Sequence, residues 1–406
     1  MNPKCFIAIT IALIASACAH DTSAPEPWRP LTVQEKDVAK ANTAFGLNLL
    51  RVVHNGEADG NLLLSPLSVS MALGMTLNGA AGTTYDAMRQ TLAFDATSQH
   101  EINTAYSSLL RQLRARDPRV EIGIANSIWY NQGFEVLPTF ADTVRHYFDA
   151  EVRQIDFGSS TAPGVISGWA AQKTNNRITD LIKQIDPAEV MFLVNAVYFK
   201  GPWTQTFEVG ATREAPFRRP NGSTVNAQMM SNDGSYRSIK NADVQAVELL
   251  YGDSAFSMVL VAPAEGIALT KVEALLEPAR WTALIDSMAV GRIILSMPKF
   301  KFTYEKALKD ALTALGMGIA FDEANADLSR IAHVQPRRLY ISRVQHKTYI
   351  DVHEKGTEAA GATAVGIGLT SMPPELRFDR PFVFAIRERE SGTLLFVGRV
   401  YDPTLP

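Results

Sequence analysis

Covalent catalysis needs a nucleophile held beside a base, and metal chemistry needs His, Cys, Asp or Glu at ligand spacing. The chain contains these residue types without the arrangements. Ser254 stands in Gly252-Asp253-Ser254-Ala255-Phe256, an order that could present a nucleophile, but the Gly that would complete the motif after the Ser is absent. The segment reads instead as a turn between two strands. No G-x-S-x-G elbow occurs. His346 and His353 are seven apart on one predicted strand, so alternation turns them to opposite faces. His353-Glu354 lacks the second His of a zinc-protease motif, and no phosphate-cradling loop with Lys follows any strand. The sequence therefore predicts no metal site, no cofactor and no enzyme.

A different kind of chemistry lies in Glu354–Phe378, "EKGTEAAGATAVGIGLTSMPPELRF". From Gly356 to Gly368 it is almost all Gly, Ala, Thr and Val, with one charge, at Glu358. Taken as a strand, one face carries Thr357, Ala359, Gly361, Thr363, Val365 and Ile367. The other carries Glu358, Ala360, Ala362, Ala364, Gly366 and Gly368. The first face has no charge, and no Pro precedes Pro373, so every N–H before it could join a ladder. Such a segment can live as an exposed loop or as a strand with one buried face.

The elements around it read as helices first and strands later, an α+β pattern. "TVQEKDVAKANTAFGLNLLRVV" puts Val38, Ala41, Phe45, Leu49 and Val52 on one helical face. Ser65 before Pro66 predicts an N-cap and first helical residue, and Thr83 or Thr84 opens a further helix. "VEIGIANSIWY" alternates as a strand. "EVMFLVNAVYFKGPW" predicts a central strand buried on both faces, with Asn195 needing partners inside it. "VQAVELLY" and "FSMVLVAP" form a strand pair, "RIILSMPKFKFTYEKALKDALTALGM" a strand leading into a helix, and "RLYISRVQHKTYIDVHEKG" a strand entering the small-residue run. The last two strands meet around Ser391-Gly392.

A net charge of −3, with 20% charged and 46% hydrophobic residues, gives no reason to expect nucleic acid as a partner. Arg111, Arg114, Arg116 and Arg119 recur at helical spacing and predict a solvated face. The two cysteines, Cys5 and Cys18, both fall in the first 20 residues, so the body has no internal disulfide and is held by its core. "MNPKCFIAITIALIASACAH" carries one Lys, an apolar stretch too short to span a bilayer, then small residues. We read 1–17 as a signal peptide and 18–34 as a Pro-rich tether. "IASAC" resembles a bacterial lipobox with Cys18 as the lipidated residue, although Ala15 stands where Leu is more usual. Cleavage after Ala-Ser-Ala with Cys18 incidental is the alternative. The expected location is exported: an outer-membrane lipoprotein, or periplasmic or extracellular.

"NLLLSPLSVSMAL", "WAAQKTNNRITDLI", "LVNAVYFKGPW", "MPKFKF" and "RPFVFAIRERESGTLLFVGRV" follow one another in the order of serpin signatures. With the small-residue run as hinge and reactive-centre loop, nearly the whole mature chain resembles a serpin of the inhibitory, antitrypsin type. The resemblance implies one large domain over 35–403, with a large central sheet, further sheets, surrounding helices and an exposed loop at about 354–376. It implies a suicide substrate for elastase-, subtilisin- or chymotrypsin-like serine proteases, trapped as the acyl-enzyme when the severed loop inserts into the main sheet. The hinge then comprises Glu354, Gly356, Thr357, Glu358, Ala359, Ala360, Gly361 and Ala362. The shutter comprises Ser65, Ser68, Asn195 and His346, which would supply the partners of Asn195; the breach comprises Trp203, Lys299 and Glu354. Family spacing puts the scissile bond between Thr370 and Ser371, or one residue earlier at Leu369. The protein is expected as a monomer, with a target protease as covalent partner and membrane contact only through the lipid anchor. A non-inhibitory relative used for binding or structure is the competing reading, and a hydrolase the more distant one.

Overall fold

The computed structural model describes residues 28–57, 59–94, 97–333, 339–357 and 373–406. The leader, Cys18, the hinge residues Glu358, Ala359, Ala360, Gly361 and Ala362, and the reactive-bond positions Leu369, Thr370 and Ser371 lie outside the described residues.

Local signals set the helices. The longest, α1 (Val33–Gly56), begins at a capping box in which Thr32 accepts from the Glu35 N–H and the Glu35 carboxylate accepts from the Thr32 N–H. Burial works against the Glu35 charge, but Arg29, Ser108 and the Thr32 backbone outweigh it and hold the carboxyl down to about 2. The second, α2 (Pro66–Leu77), takes Ser65 as N-cap and Pro66 as first residue. Then come α3 (Gly82–Thr91), α4 (Gln99–Ala115), α5 (Pro138–Phe148), α6 (Ala162–Lys173), and the shorter α7 (Thr270–Glu273), α8 (Pro278–Ser287) and α9 (Lys309–Leu312). The strands are β1 (Leu62–Leu64), β2 (Glu121–Asn131), β3 (Ala150–Ile155), β4 (Met191–Pro202), β5 (Arg213–Arg218), β6 (Thr224–Lys240), β7 (Val244–Tyr251) and β8 (Phe256–Pro263). After them follow β9 (Ala289–Pro298), β10 (Phe300–Ala307), β11 (Gln345–His353), β12 (Gly356–Thr357), β13 (Glu375–Arg377), β14 (Phe382–Glu388) and β15 (Leu394–Val400).

Two sheets organise them. Nine strands form one sheet in the order β1-β15-β14-β8-β7-β6-β9-β13, with β5 paired to β6. Its centre is solid: every residue of β8, β14 and β15 is buried. At about 1.5–3 kcal/mol for each large apolar side chain, this is the stiff half of the molecule. The other sheet has the order β10-β11-β12-β4-β2-β3. Helix α2 packs behind it, and α6 covers its opposite face, where Ile166 and Trp169 meet Trp129, Phe192 and Val194.

Three elements depart from the sequence reading. In β4 the face of Met191, Leu193 and Asn195 is only half-buried, because it lines the wall of a cleft described below. The strand predicted from Arg292 is two, β9 and β10, broken at Lys299 so that one chain serves both sheets. The helix expected after it is present as α9, which runs on into a π-helical turn (Thr313–Met317) and a 3-10 turn (Gly318–Phe321). The arginines of the α4 region are solvated, with Arg111, Arg114 and Arg119 exposed, but several are also engaged. Arg114 donates to the Ile124 carbonyl, Arg119 to that of Gly252, and Arg116 reaches Glu388 and Glu390 while lying over the Trp28 ring at 3.8 Å.

Candidate functional site

The site is a seam. β11 pairs antiparallel with β10 on its outer side, and β4 with β2 on its own. Among the described residues, only the two of β12 stand between β11 and β4, with Thr357 level with Val352 on one side and Gly201 on the other. Among the described residues no ladder joins β11 directly to β4. Below β12 the seam opens into a cavity of about 590 Å³ whose walls include Leu193 of β4 and Tyr340 and Val344 ahead of β11.

The top of the seam is tightly built. Thr357 is 3% exposed and its hydroxyl lies 2.7 Å from the Tyr251 hydroxyl. The Tyr251 ring stacks on Trp203 at 4.3 Å between centroids. Trp203 in turn donates from Nε1 to the His353 carbonyl (2.9 Å) and from its backbone N–H to that of Lys355 (3.0 Å). Gly356 has φ +145°, and a Cβ there would fall 2.2 Å from the Gly201 carbonyl oxygen. Only glycine lets the chain enter the sheet at this point. Lys299 Nζ sits 3.0 Å from the buried Glu354 carboxylate, which also accepts from Thr212 at 2.8 Å. Burial raises the Glu354 carboxyl, but its own N–H, Thr212 and Lys299 prevail and hold it below the usual range.

Halfway down, the residues expected to form a shutter separate into two groups. The Ser65 N–H donates to His346 Nε2 at 3.1 Å, the Ser65 hydroxyl donates to the Leu395 carbonyl at 2.8 Å, and the Ser68 N–H donates to Ser65 Oγ at 3.3 Å. Asn195 does not bond to this group. It donates to Asn126 Oδ1, its register partner on β2, and its own Oδ1 is buried with no partner. The sequence offered a signal for this: Asn126 is an amide in the apolar middle of its strand, as Asn195 is, and two such amides on neighbouring strands satisfy one another.

His346 is 4% exposed, and burial pulls it down to about 4. The unfolded chain binds this proton near pH 6.5 and the folded one does not, so stability is complete above pH 6.5 and falls as pH drops towards 4. The loss attributable to this group is about 3 kcal/mol. Denaturant unfolding of wild type and His346→Gln across this range should show that difference in slope, and parallel curves would remove His346 as the cause.

Ser254 lies in the turn between β7 and β8 at φ +76°, and its carbonyl accepts from Arg389. Among the described residues no cluster of three or more His, Cys, Asp or Glu could hold a metal. His346 and His353 occupy opposite faces of β11, one buried and one half-buried.

Comparison with known proteins places this geometry in context. The family described as Serpin (serine protease inhibitor) matches residues 40–403. Leukocyte elastase inhibitor of Sus scrofa is 33% identical over 384 residues, covering 91% of this chain and all of its own length. The thermophilic serpin tengpin in its native state superposes with a TM-score of 0.82 at 29% identity, over 93% of this chain and 97% of its own. Human thyroxine-binding globulin complexed with its hormone gives a TM-score of 0.84 at 28% identity, over 92% of this chain and all of its own.

Proposed function

The chain belongs to the serpin family, and from that premise we propose that it is a suicide-substrate inhibitor of serine proteases whose reactive-centre loop inserts into the β11–β4 seam. One observation carries the proposal: β12 fixes a register, and the loop sequence suits its continuation. Carried on from Thr357, that register sets Ala359 level with Ile350 and Phe199, Gly361 level with Thr348 and Val197, and Thr363 level with His346 and Asn195. The core-facing side of β11 is the row His346, Thr348, Ile350 and Val352, all buried. The uncharged face of the loop would therefore meet the core, and Glu358 would face away. The Thr363 hydroxyl would arrive beside the orphaned Oδ1 of Asn195.

The chemistry follows from competition between two fates of the acyl-enzyme. The protease opens the bond after Thr370, or after Leu369, and holds the loop as an ester through its nucleophilic serine. Water would release it. Insertion carries the tethered protease to the far end of the sheet first, and the gain is on the order of 10 kcal/mol, roughly a dozen ladder hydrogen bonds at about 1 kcal/mol each. That equals the whole stability of many domains and is enough to deform an active site.

The loop composition narrows the target. Between Lys355 and Arg377 there is no Lys or Arg, and a trypsin-like primary pocket needs one to pair with its acid. Thr370 is small and β-branched and suits the shallow pockets of elastase- or subtilisin-like enzymes; a site one residue earlier, at Leu369, would favour chymotrypsin-like ones. Similarity to leukocyte elastase inhibitor supports the same class. Incubation with a protease panel, read on a denaturing gel, should give a covalent complex with elastase or subtilisin and release a C-terminal peptide beginning at Ser371. Efficient complex formation with trypsin would overturn the target assignment, and cleavage without complex by every protease would favour the non-inhibitory reading. Attachment to a membrane through lipid on Cys18, following export, completes the proposal.

A further inference from the structure

A second cavity, of about 190 Å³, lies away from the seam, between β7, the end of β6 and the residues after Trp203. Its apolar side is made by Leu249, Leu250 and Val290, and Val290 is 71% exposed. Its polar side is made by Arg237, Arg389 and Glu248. Glu248 is buried and fully engaged: one oxygen accepts from Ser257, Arg387 and Arg389 at 2.8–3.2 Å, and the other accepts from Arg237 at 2.9 Å. Three guanidinium groups thus share one carboxylate. The neighbouring acids Glu388 and Glu390 share the single Arg116, so the cluster as a whole sets four guanidinium groups against three carboxylates, an excess of one positive charge. Two donors of this cluster make no hydrogen bond among the described residues. One is Nε of Arg387, which is buried but does not line the cavity; the other is Nη2 of Arg389, which does line it and spends Nε on Glu248 and Nη1 on the Ser254 carbonyl.

An excess of positive charge on half-buried side chains beside an apolar wall selects for a ligand with both characters. We propose that this cavity binds a small carboxylate carrying a compact apolar body, with the carboxylate on Arg389 and the body against Leu250 and Val290. The size fits one aromatic ring with a short acidic arm, since an apolar cavity of about 150 Å³ accommodates benzene. The carboxylate gains from a charge-assisted hydrogen bond that a neutral amide of the same shape does not make. The site also touches the machinery of the seam. The Thr204 N–H donates to the Leu250 carbonyl at 2.8 Å, Thr204 follows Trp203, and Leu250 precedes the Tyr251 that holds Thr357.

Phenylacetate serves as the probe, titrated into the full chain by calorimetry with Trp203 fluorescence as a second signal. Binding is expected with a dissociation constant below about 1 mM, a reasonable affinity for about ten non-hydrogen atoms. Phenylacetamide should bind at least about tenfold more weakly. Arg389→Met should weaken phenylacetate by a similar factor. Because Arg389 also ties the Ser254 turn, Val290→Asp provides the cleaner variant: it places a negative charge at the exposed mouth without entering the core, and should also abolish binding. No binding up to about 10 mM, equal affinity for acid and amide, or unaltered binding by the folded Val290→Asp protein would each overturn the proposal.

Discussion

Thr357→Arg should convert the protein from an inhibitor into a substrate, with the yield of covalent complex falling at least tenfold while loop cleavage continues at its former rate. The position is seated in the sheet, closed over by Trp203 and Tyr251, and the proposed insertion starts from it. An unpaired guanidinium at such a place costs several kcal/mol. On the proposed mechanism insertion competes with hydrolysis of the acyl-enzyme, and each 1.4 kcal/mol added to the insertion barrier slows it about tenfold. Water then wins the competition. The substitution leaves the scissile region untouched, so a normal cleavage rate with lost complex separates failed insertion from failed recognition. Thr357→Ser, which keeps the hydroxyl that meets Tyr251, should retain complex formation. An undiminished yield of complex from the Arg variant would show that this residue need not be buried.

Much of this site could be read from residue types and spacing, and the unread parts share a physical cause. The alternation Thr357, Ala359, Gly361 and Thr363 announced a latent strand because period-two patterning is local. Ser65 before Pro66 announced its helix for the same reason. The depth at which the hinge rests is not local. It depends on a glycine at position 356 meeting the backbone of Gly201, 155 residues earlier in the chain, at a distance no Cβ would tolerate. The partner of Asn195 was misassigned on similar grounds: sequence indicated that a buried amide needs one, but only the β2–β4 register brings Asn126 level with it. The arginines near the end of α4 read as a solvated face and three of the four are exposed, but nothing in their helical spacing reveals the Glu388, Glu390 and Gly252 groups that engage them. The break at Lys299 leaves no mark in the sequence because both halves are good strands, and which sheet each joins is set by what it packs against.

The central claim is that the folded chain holds an unfilled strand position which its own loop can occupy once cut. Thermal unfolding before and after a single nick near Thr370, made with a catalytic amount of elastase or subtilisin, tests it most directly. A gain on the order of 10 kcal/mol, set against an unfolding entropy of about 2 cal/mol/K per residue, corresponds to a rise in melting temperature of roughly 10–20 °C for a domain of this size. The account predicts that rise in the nicked protein with both fragments still associated. Superposable melting curves before and after the nick would contradict it, because the cut loop would then have stayed outside the sheet.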